Sequence, residues 1–202
     1  MQPFRQHTGL AVPLERVNVD TDQIIPKQFL KRIERTGYEN FLFYDWRYNA
    51  AGAPEPAFVL NEPGYAGASI LIAGANFGCG SSREHAVWAL RDYGFRAIIA
   101  SSFADIFAIN CTKNGIPTVR LVEKAVSELM RRAKQGHEIT VDLEATNVSD
   151  QHGFSAAFHM DEFRRRCLLE GLDEIALTLQ HEREIGSYEN RTASQGHRWP
   201  SR

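Results

Sequence analysis

The strongest constraint on the fold is a pattern that occurs three times between residues 69 and 134, a short apolar run followed by a segment with helical periodicity. The apolar runs cover residues 69–73, 97–100 and 118–121. Short apolar runs closed by turn residues are typical of strands that are buried on both faces. Strands that alternate with helices through short connections predict a three-layer α/β core with parallel pairing and right-handed crossovers.

Further strand and helix patterns flank this core. Residues 9–19 predict a strand with an edge or bulge at Pro13, because proline cannot donate a ladder hydrogen bond. The other predicted elements are paired strands at residues 139–143 and 154–158 and helices at residues 161–169 and 172–183. We therefore predict a single domain over residues 1–190, and a polar, disordered tail over residues 191–202.

Composition and charge exclude several classes of partner. The formal net charge of −2 leaves no excess of Lys and Arg for a phosphate backbone, so we expect no nucleic-acid partner. The apolar runs are far shorter than the ~20 residues that span a bilayer, so we expect no membrane partner. Residues 1–8 are polar and do not resemble a signal peptide, which predicts a cytoplasmic protein. A trimmed transit peptide remains the alternative in a plastid-bearing source.

The chain has three cysteines, at Cys79, Cys111 and Cys167. An odd and scattered set argues against a framework of disulfides. It also argues against an iron–sulfur cluster within this chain, because cluster ligands usually include closely spaced cysteines and no C-x₂-C pair occurs. We therefore expect no metal in this chain, and any iron–sulfur chemistry would need a partner that holds the cluster.

The stretch Asn-Phe-Gly-Cys-Gly-Ser-Ser-Arg-Glu-His-Ala at residues 76–86 is the main candidate site. It connects a predicted strand to a predicted helix, where ligands of α/β sheets and anions at helix N-termini collect. Ser81 and Ser82 offer hydroxyls and are predicted N-caps, and Arg83 can grip a carboxylate with two parallel hydrogen bonds. The pattern predicts a carboxylate- or phosphate-binding turn. The alternative is a plain helix cap with a surface arginine.

Four segments carry a resemblance to a known family. Residues 80–86 are similar to the signature of the swivelling domain of the aconitase superfamily, and residues 96–110 and 114–117 match in order and spacing. Asp-Thr-Asp-Gln-Ile-Ile-Pro at residues 20–26 resembles the substrate loop of that superfamily. Residues 76–80, together with Phe-Leu-Phe at 41–43, resemble the separate small subunits of 3-isopropylmalate dehydratases in particular. The resemblance extends over about residues 1–190.

The resemblance implies a three-layer β/β/α swivelling domain with a parallel-strand core. It also implies a hydro-lyase subunit that interconverts 2-isopropylmalate and 3-isopropylmalate in leucine biosynthesis, through dehydration and rehydration. The implied partner is a large subunit that carries a 4Fe-4S cluster, in a heterodimer or a higher assembly. Two alternatives stay open: a related split hydro-lyase of the citraconate or homoaconitate type, and a non-catalytic carboxylate-binding module.

The resemblance also implies roles for individual residues. Ser81 would be the base that removes the proton next to a carboxylate, and Ser82 and Arg83 would hold that carboxylate. Thr21 and Asp22 would face the site from the N-terminal loop. Glu84 and His85 are expected to be structural rather than catalytic.

The substrate side chain is expected to be sensed by a loop that follows the Thr-Asp motif. Its candidate residues are Ile24, Ile25, Lys31 and Arg32. In single-chain relatives, an arginine past that motif helps to bind substrate. The stretch has an altered length in this chain. The residue with that role could therefore be Lys31, Arg32 or Arg35, and the choice stays open. The alternative for the two isoleucines is a place in the hydrophobic core.

Overall fold

The computed structural model describes residues 1–194, and over these residues the chain forms one mixed sheet of seven strands in the order β4-β3-β2-β1-β5-β6-β7. The strands are β1 (Gln6–Leu14), β2 (Ile70–Ala73), β3 (Ala97–Ala100), β4 (Thr118–Arg120), β5 (Glu138–Asp142), β6 (Asn147–Asp150) and β7 (Ser155–Ala157). Strands β1 to β4 pair in parallel, and β5 to β7 extend the sheet with antiparallel pairs. The predicted α/β class and parallel core are confirmed.

The helices provide the connections that parallel strands require. The α-helices are α1 (Thr21–Ile24), α2 (Tyr44–Arg47), α3 (Glu84–Tyr93), α4 (Asp105–Lys113), α5 (Glu123–Lys134), α6 (Glu162–Glu170), α7 (Glu174–Leu179) and α8 (Glu182–Ser194). Short 3₁₀ helices cover Lys27–Lys31, Glu39–Phe41, Val59–Asn61 and Pro63–Tyr65. Helices α3, α4 and α5 follow β2, β3 and β4 as predicted. Within residues 1–194, none of the helices is long and apolar enough to cross a membrane.

The parallel strands separate two hydrophobic clusters, because their side chains alternate between the two faces. Leu71 and Ile98 face one cluster, which is completed by α3, α4 and the aromatic side chains of residues 38–65. Ile72 and Ile99 face the other, which contains the apolar residues of α5 and the inward-facing side chains of β5 and β6. Helices α3 and α4 therefore lie on the same side of the sheet.

Strand β1 joins the parallel and antiparallel parts of the sheet. Its first half pairs with β5, ending at Leu10 opposite Glu138, and its second half pairs with β2. Pro13 lies beyond that last antiparallel pair, where β1 has a strand neighbour on one side, so the edge position predicted for Pro13 is confirmed. The strand is shifted relative to the prediction, since it starts at Gln6 and ends at Leu14.

Several predicted elements differ in detail. The strands β5 and β7 do not pair with each other, because β6 lies between them. The helix predicted over residues 172–183 is divided into α7 and α8. Residues 191–194 of the predicted disordered tail belong to α8, and the remaining residues, 195–202, lie outside the described residues.

The start of α3 corrects another prediction. The helix begins at Glu84, with Arg83 at the N-cap position, and the Arg83 side chain makes no capping hydrogen bond. The prediction that Ser81 and Ser82 cap this helix is therefore wrong. Both serines belong to the preceding loop, whose Cys79 and Ser81 carbonyls accept hydrogen bonds from Thr21. The predicted end is confirmed, since Gly94 has a positive φ of 118° at the C-cap.

Candidate active site

A cleft with a volume of about 270 Å³ lies between the loop after β2 and the first turn of α4. Its walls are formed by Thr21, by the loop residues Gly78, Gly80, Ser81, Ser82 and Arg83, and by Ala104, Asp105, Ile106 and Phe107. Parallel sheets present ligand sites outside the carboxyl ends of their strands, and the loops after β2 and β3 meet at this edge. The structure therefore gathers Thr21, Ser81, Ser82 and Arg83 around one opening.

The loop after β2 is fixed by backbone hydrogen bonds to both neighbouring segments. The Gly78 N–H donates to the Val19 carbonyl at 2.8 Å, and the Phe77 N–H donates to the Ser102 carbonyl at 3.1 Å. Gly78 has a φ of +78°, and a Cβ on it would lie 2.1 Å from the Phe107 ring. Only glycine lets the loop pass this close to α4.

Thr21 ties the N-terminal loop to the serine loop. Its hydroxyl donates to the Ser81 carbonyl at 2.9 Å, and its N–H donates to the Cys79 carbonyl at 2.9 Å. Asp20 caps α1 in a reciprocal capping box with Gln23. Thr21 is buried, and its hydroxyl proton is already donated, so it positions the loop that carries Ser81.

Asp22 and Arg83 meet at the mouth of the cleft. An Arg83 guanidinium nitrogen pairs with Asp22 Oδ1, and Lys27 Nζ lies 3.7 Å from Asp22 Oδ2. The Arg83 side chain is only 13% exposed, whereas that of Asp22 is 37% exposed. The sequence analysis predicted Asp22 and Arg83 but missed Lys27. The available signal for Lys27 was its position directly after Pro26, at the start of a 3₁₀ helix.

Ser81 and Ser82 are exposed where they line the cleft, next to the start of α3. The first N–H groups of a helix have no intrahelical acceptor, and the Arg83 side chain does not cap them in α3. Together with the helix dipole, these N–H groups favour a negative charge near the helix start. The partly buried Arg83 guanidinium adds a full positive charge. The cleft is therefore suited to a carboxylate and to an oxyanion.

Glu84 and His85 are engaged in packing contacts. The Asn114 side chain donates to Glu84 Oε1 at 2.9 Å and accepts from Arg91 Nη1 at 3.3 Å, which links α3 to the end of α4. The His85 ring packs against Trp88, with centroids 4.8 Å apart. These contacts favour the structural interpretation of Glu84 and His85.

The proposed side-chain loop divides into buried and exposed parts. Ile24 and Ile25 are fully buried in the cluster that contains α3, which favours a place in the hydrophobic core over a place in a substrate pocket. Ile24 is the last residue of α1 and Ile25 is the C-cap of that helix. Lys31 is exposed, while Arg32 lies over the Phe41 ring at 5.2 Å and pairs with Glu34 at 3.5 Å.

The cysteines do not form a site for a cluster. In the part of the chain that the structure describes, no three His, Cys, Asp or Glu side chains are grouped to hold a metal ion. Burial raises the pKa of Cys111 well above its ordinary value, and burial and nearby Asp20 raise the pKa of Cys79. Cluster ligands are closely spaced thiolates, so the separate positions of the three cysteines do not fit a resident cluster.

Comparison with protein families supports the resemblance found in the sequence. The family model of the aconitase C-terminal domain matches residues 1–124, and a second model, LeuD_N, matches residues 127–162. A protein of Brevibacillus brevis named 3-isopropylmalate dehydratase small subunit is 58% identical over 95% of this chain and 100% of its own length. A protein of the same name from Acidobacterium capsulatum is 59% identical over 94% of this chain and 90% of its own length.

A solved structure has the same fold. The crystal structure of 3-isopropylmalate dehydratase from Methanocaldococcus jannaschii superposes with a TM-score of 0.65 and 26% identity. The match covers 91% of this chain and 99% of the other. Sequence and structure comparisons thus agree over nearly the whole chain.

Proposed function

Because the chain belongs to the family of 3-isopropylmalate dehydratase small subunits, hydro-lyase subunits of leucine biosynthesis within the aconitase superfamily, we propose that it supplies the base and the carboxylate-binding groups of the reaction. A small subunit of a two-subunit enzyme implies a large-subunit partner. We assign the 4Fe-4S cluster to that partner. The assembly is a heterodimer or larger and acts in the cytoplasm, on a small molecule rather than on nucleic acid or a membrane.

Ser81 is the proposed general base, which takes the proton from the carbon next to a substrate carboxylate. A serine hydroxyl is a poor base unless its alkoxide is stabilised. The N–H groups at the start of α3 and the charge of Arg83 both favour the anionic form. The cluster of the large subunit, when bound, supplies a Lewis acid for the departing hydroxyl.

Arg83 and Ser82 are the proposed holders of the substrate carboxylate. In the free subunit, the Asp22 carboxylate forms an ion pair with the Arg83 guanidinium. When the substrate carboxylate binds Arg83, Lys27 remains available to Asp22, so that no carboxylate is left without a cation. Thr21 holds the serine loop through the Ser81 carbonyl. The observation that carries the proposal is that Ser81, Ser82 and Arg83 line one cleft, with Asp22 paired to Arg83.

The proposed substrates are 2-isopropylmalate and 3-isopropylmalate. Ile24 and Ile25 lie in the core. The remaining candidates for contact with the isopropyl group are in the exposed stretch around Lys31 and Arg32. A related malate of the citraconate or homoaconitate type is the second candidate substrate, since the cleft itself recognises only the shared carboxylate.

The test is anaerobic reconstitution with a cluster-loaded large subunit, following the alkene intermediate by its absorbance. We expect turnover of 2-isopropylmalate that requires both chains. Turnover of citraconate but not of isopropylmalate would retain the hydro-lyase assignment and reject the substrate. A complex that forms but turns over neither would reject the proposal in favour of a carboxylate-binding module.

A further inference from the structure

A row of three adjoining depressions runs along α4 in the described part of the chain. The first is the cleft, which α4 borders with Asp105 and Ile106. The second, of about 420 Å³, shares Asp105 with the cleft. The third, of about 310 Å³, shares Thr112, Asp161 and Arg164 with the second. The three depressions are therefore neighbours along α4, with the cleft at one end.

The far end of this surface is apolar. Its walls include Ile109, Phe163, Leu172 and Leu177, from α4, α6 and the segment that follows. Phe163 is 58% exposed and Ile109 is 38% exposed, although both are large apolar side chains. Ile106, at the rim of the cleft, is three residues before Ile109 and lies on the same face of α4. Exposed apolar surface of this kind, contiguous rather than scattered, marks an interaction site.

The middle of the surface carries charged side chains of both signs. Arg120 and Arg164 line the second depression together with Asp105, Asp161 and His159. Neither arginine side chain forms an ion pair with another residue of the described chain, whereas Arg83, Arg91 and Arg132 all do. An interface that covers these guanidinium groups needs acidic or carbonyl partners opposite them.

We propose that this surface, formed by Ile106, Ile109, Phe163, Arg120 and Arg164 and called here the α4 strip, is where the large subunit docks. The inference rests on the proposed function, since a large subunit that carries the cluster must face Ser81. The strip begins at the rim of that cleft and continues through the two neighbouring depressions. A second copy of this chain on the strip would cover Ile106 and obstruct the cleft, which favours the large subunit as the occupant.

The anatomy of the strip fits such an interface. Aromatic and aliphatic side chains in a groove are the usual anchors of a protein interface, and arginine is enriched beside them. Ile109 and Phe163 do not line the cleft, so changing them removes docking without touching the groups that bind substrate. Affinity for the large subunit and turnover by the complete complex can therefore be separated.

The experiment is a titration of the small subunit with cluster-loaded large subunit, using Ile109→Glu and Phe163→Glu. We expect each change to raise the Kd about tenfold or more, in the range of interface anchors. At saturating large subunit, kcat should return to within about twofold of the wild-type value. Val122→Glu is the matched control, because Val122 is 75% exposed and lines none of the three depressions. Its Kd should be unchanged.

Circular dichroism and thermal unfolding establish whether each variant is folded. If a glutamate variant does not fold, Ile109→Ser or Phe163→Ser takes its place. Strip variants that bind the large subunit as tightly as the wild type would overturn the inference. So would variants that abolish self-association of the small subunit, seen by sedimentation, while leaving the large-subunit Kd unchanged. A wild-type pair that binds but does not turn over isopropylmalate would instead reject the proposed function.

Discussion

The Asp22 carboxylate pairs with the Arg83 guanidinium across 61 positions of sequence, at the mouth of the cleft that Ser81 lines. In the free subunit, an internal carboxylate thus lies beside the group proposed to hold a substrate carboxylate. Lys27 on the other side of Asp22 gives that carboxylate a second cation. The ion pair holds the Arg83 guanidinium in position before substrate arrives.

Arg83→Ala should reduce kcat/KM by hundreds-fold in the reconstituted enzyme. A preorganised donor to a developing charge typically contributes about 3 kcal/mol to the barrier. Arg83→Lys should recover only part of the loss, because an ammonium cannot form two parallel hydrogen bonds to a carboxylate. The measurement is steady-state turnover of 2-isopropylmalate, with the large-subunit Kd as the control for assembly. An alanine variant with nearly normal turnover would show that Arg83 does not bind the substrate.

Lys27→Met should raise KM while kcat stays near its wild-type value. Without Lys27, Asp22 has only Arg83 as a partner and competes more strongly with the substrate carboxylate. Lys27 is 75% exposed, and exposed ion pairs contribute at most about 1 kcal/mol, so the expected increase in KM is about threefold to fivefold. Lys27→Arg should restore KM. An equal fall of kcat in Lys27→Met and Lys27→Arg would indicate a different role.

Gly78→Ala should lower the free energy of unfolding by about 3 kcal/mol, from a positive φ and a clash with the Phe107 ring. Gly52→Ala isolates the backbone contribution, because Gly52 has the same φ of +78° but nothing within 4 Å of its added Cβ. Gly52→Ala should lower the free energy of unfolding by about 1 kcal/mol. The measurement is chemical denaturation of the three proteins. Equal losses for Gly78→Ala and Gly52→Ala would mean that the loop moves away from Phe107.

Elements buried on both faces were predictable from the sequence. The runs that form β2 and β3 were predicted to within one residue, because strands covered on both faces need continuous apolar residues. Strand β6 was missed since Val148 is its only fully buried residue, and its pairing depends on the neighbouring strands. The local sequence does not show whether Ile24 is buried, because apolar residues follow the same pattern in a substrate pocket and in the hydrophobic core.

The candidate site was predictable as a set of residues but not as a geometry. The motif indicated Ser81, Arg83 and Asp22, yet local capping preferences predicted a helix start at the serines. The observed start at Glu84 follows from hydrogen bonds between Thr21 and the backbone of Cys79 and Ser81, which lie some 60 positions away. Such contacts are set by the tertiary fold, and a local window of sequence does not contain them.

Asp150 should make the stability of the subunit sensitive to acid. Burial alone would raise the pKa of Asp150, but hydrogen bonds from the Phe154 N–H, Arg132, the His152 N–H and His137 outweigh it and hold the pKa below its ordinary value. The stabilisation is therefore present above the unfolded-state pKa of about 3.9 and is lost as pH falls below it. The side chain is fully buried, so Asp150→Asn should cost about 3 kcal/mol at pH 7.

The measurement is the free energy of unfolding of the wild type and Asp150→Asn between pH 7 and pH 3. The difference between the two proteins should shrink in the acid range, because the unfolded wild type binds a proton at Asp150 at about pH 3.9, whereas the folded state, with its lowered pKa, does not. Glu144→Gln is the control, since its pair with Arg5 is exposed and should contribute little at any pH. A difference that is independent of pH would contradict the assigned role of the Asp150 charge.

The most direct test of the account is turnover by the complex with Ser81→Ala, compared with Ser82→Ala, under anaerobic conditions and at saturating large subunit. The account predicts that both variants form the complex with wild-type affinity. Ser81→Ala should lower kcat by about a hundredfold to ten-thousandfold, the range for loss of a general base, while Ser82→Ala should act mainly by raising KM. A Ser81→Ala complex with nearly wild-type kcat would contradict the assignment of Ser81 as the base.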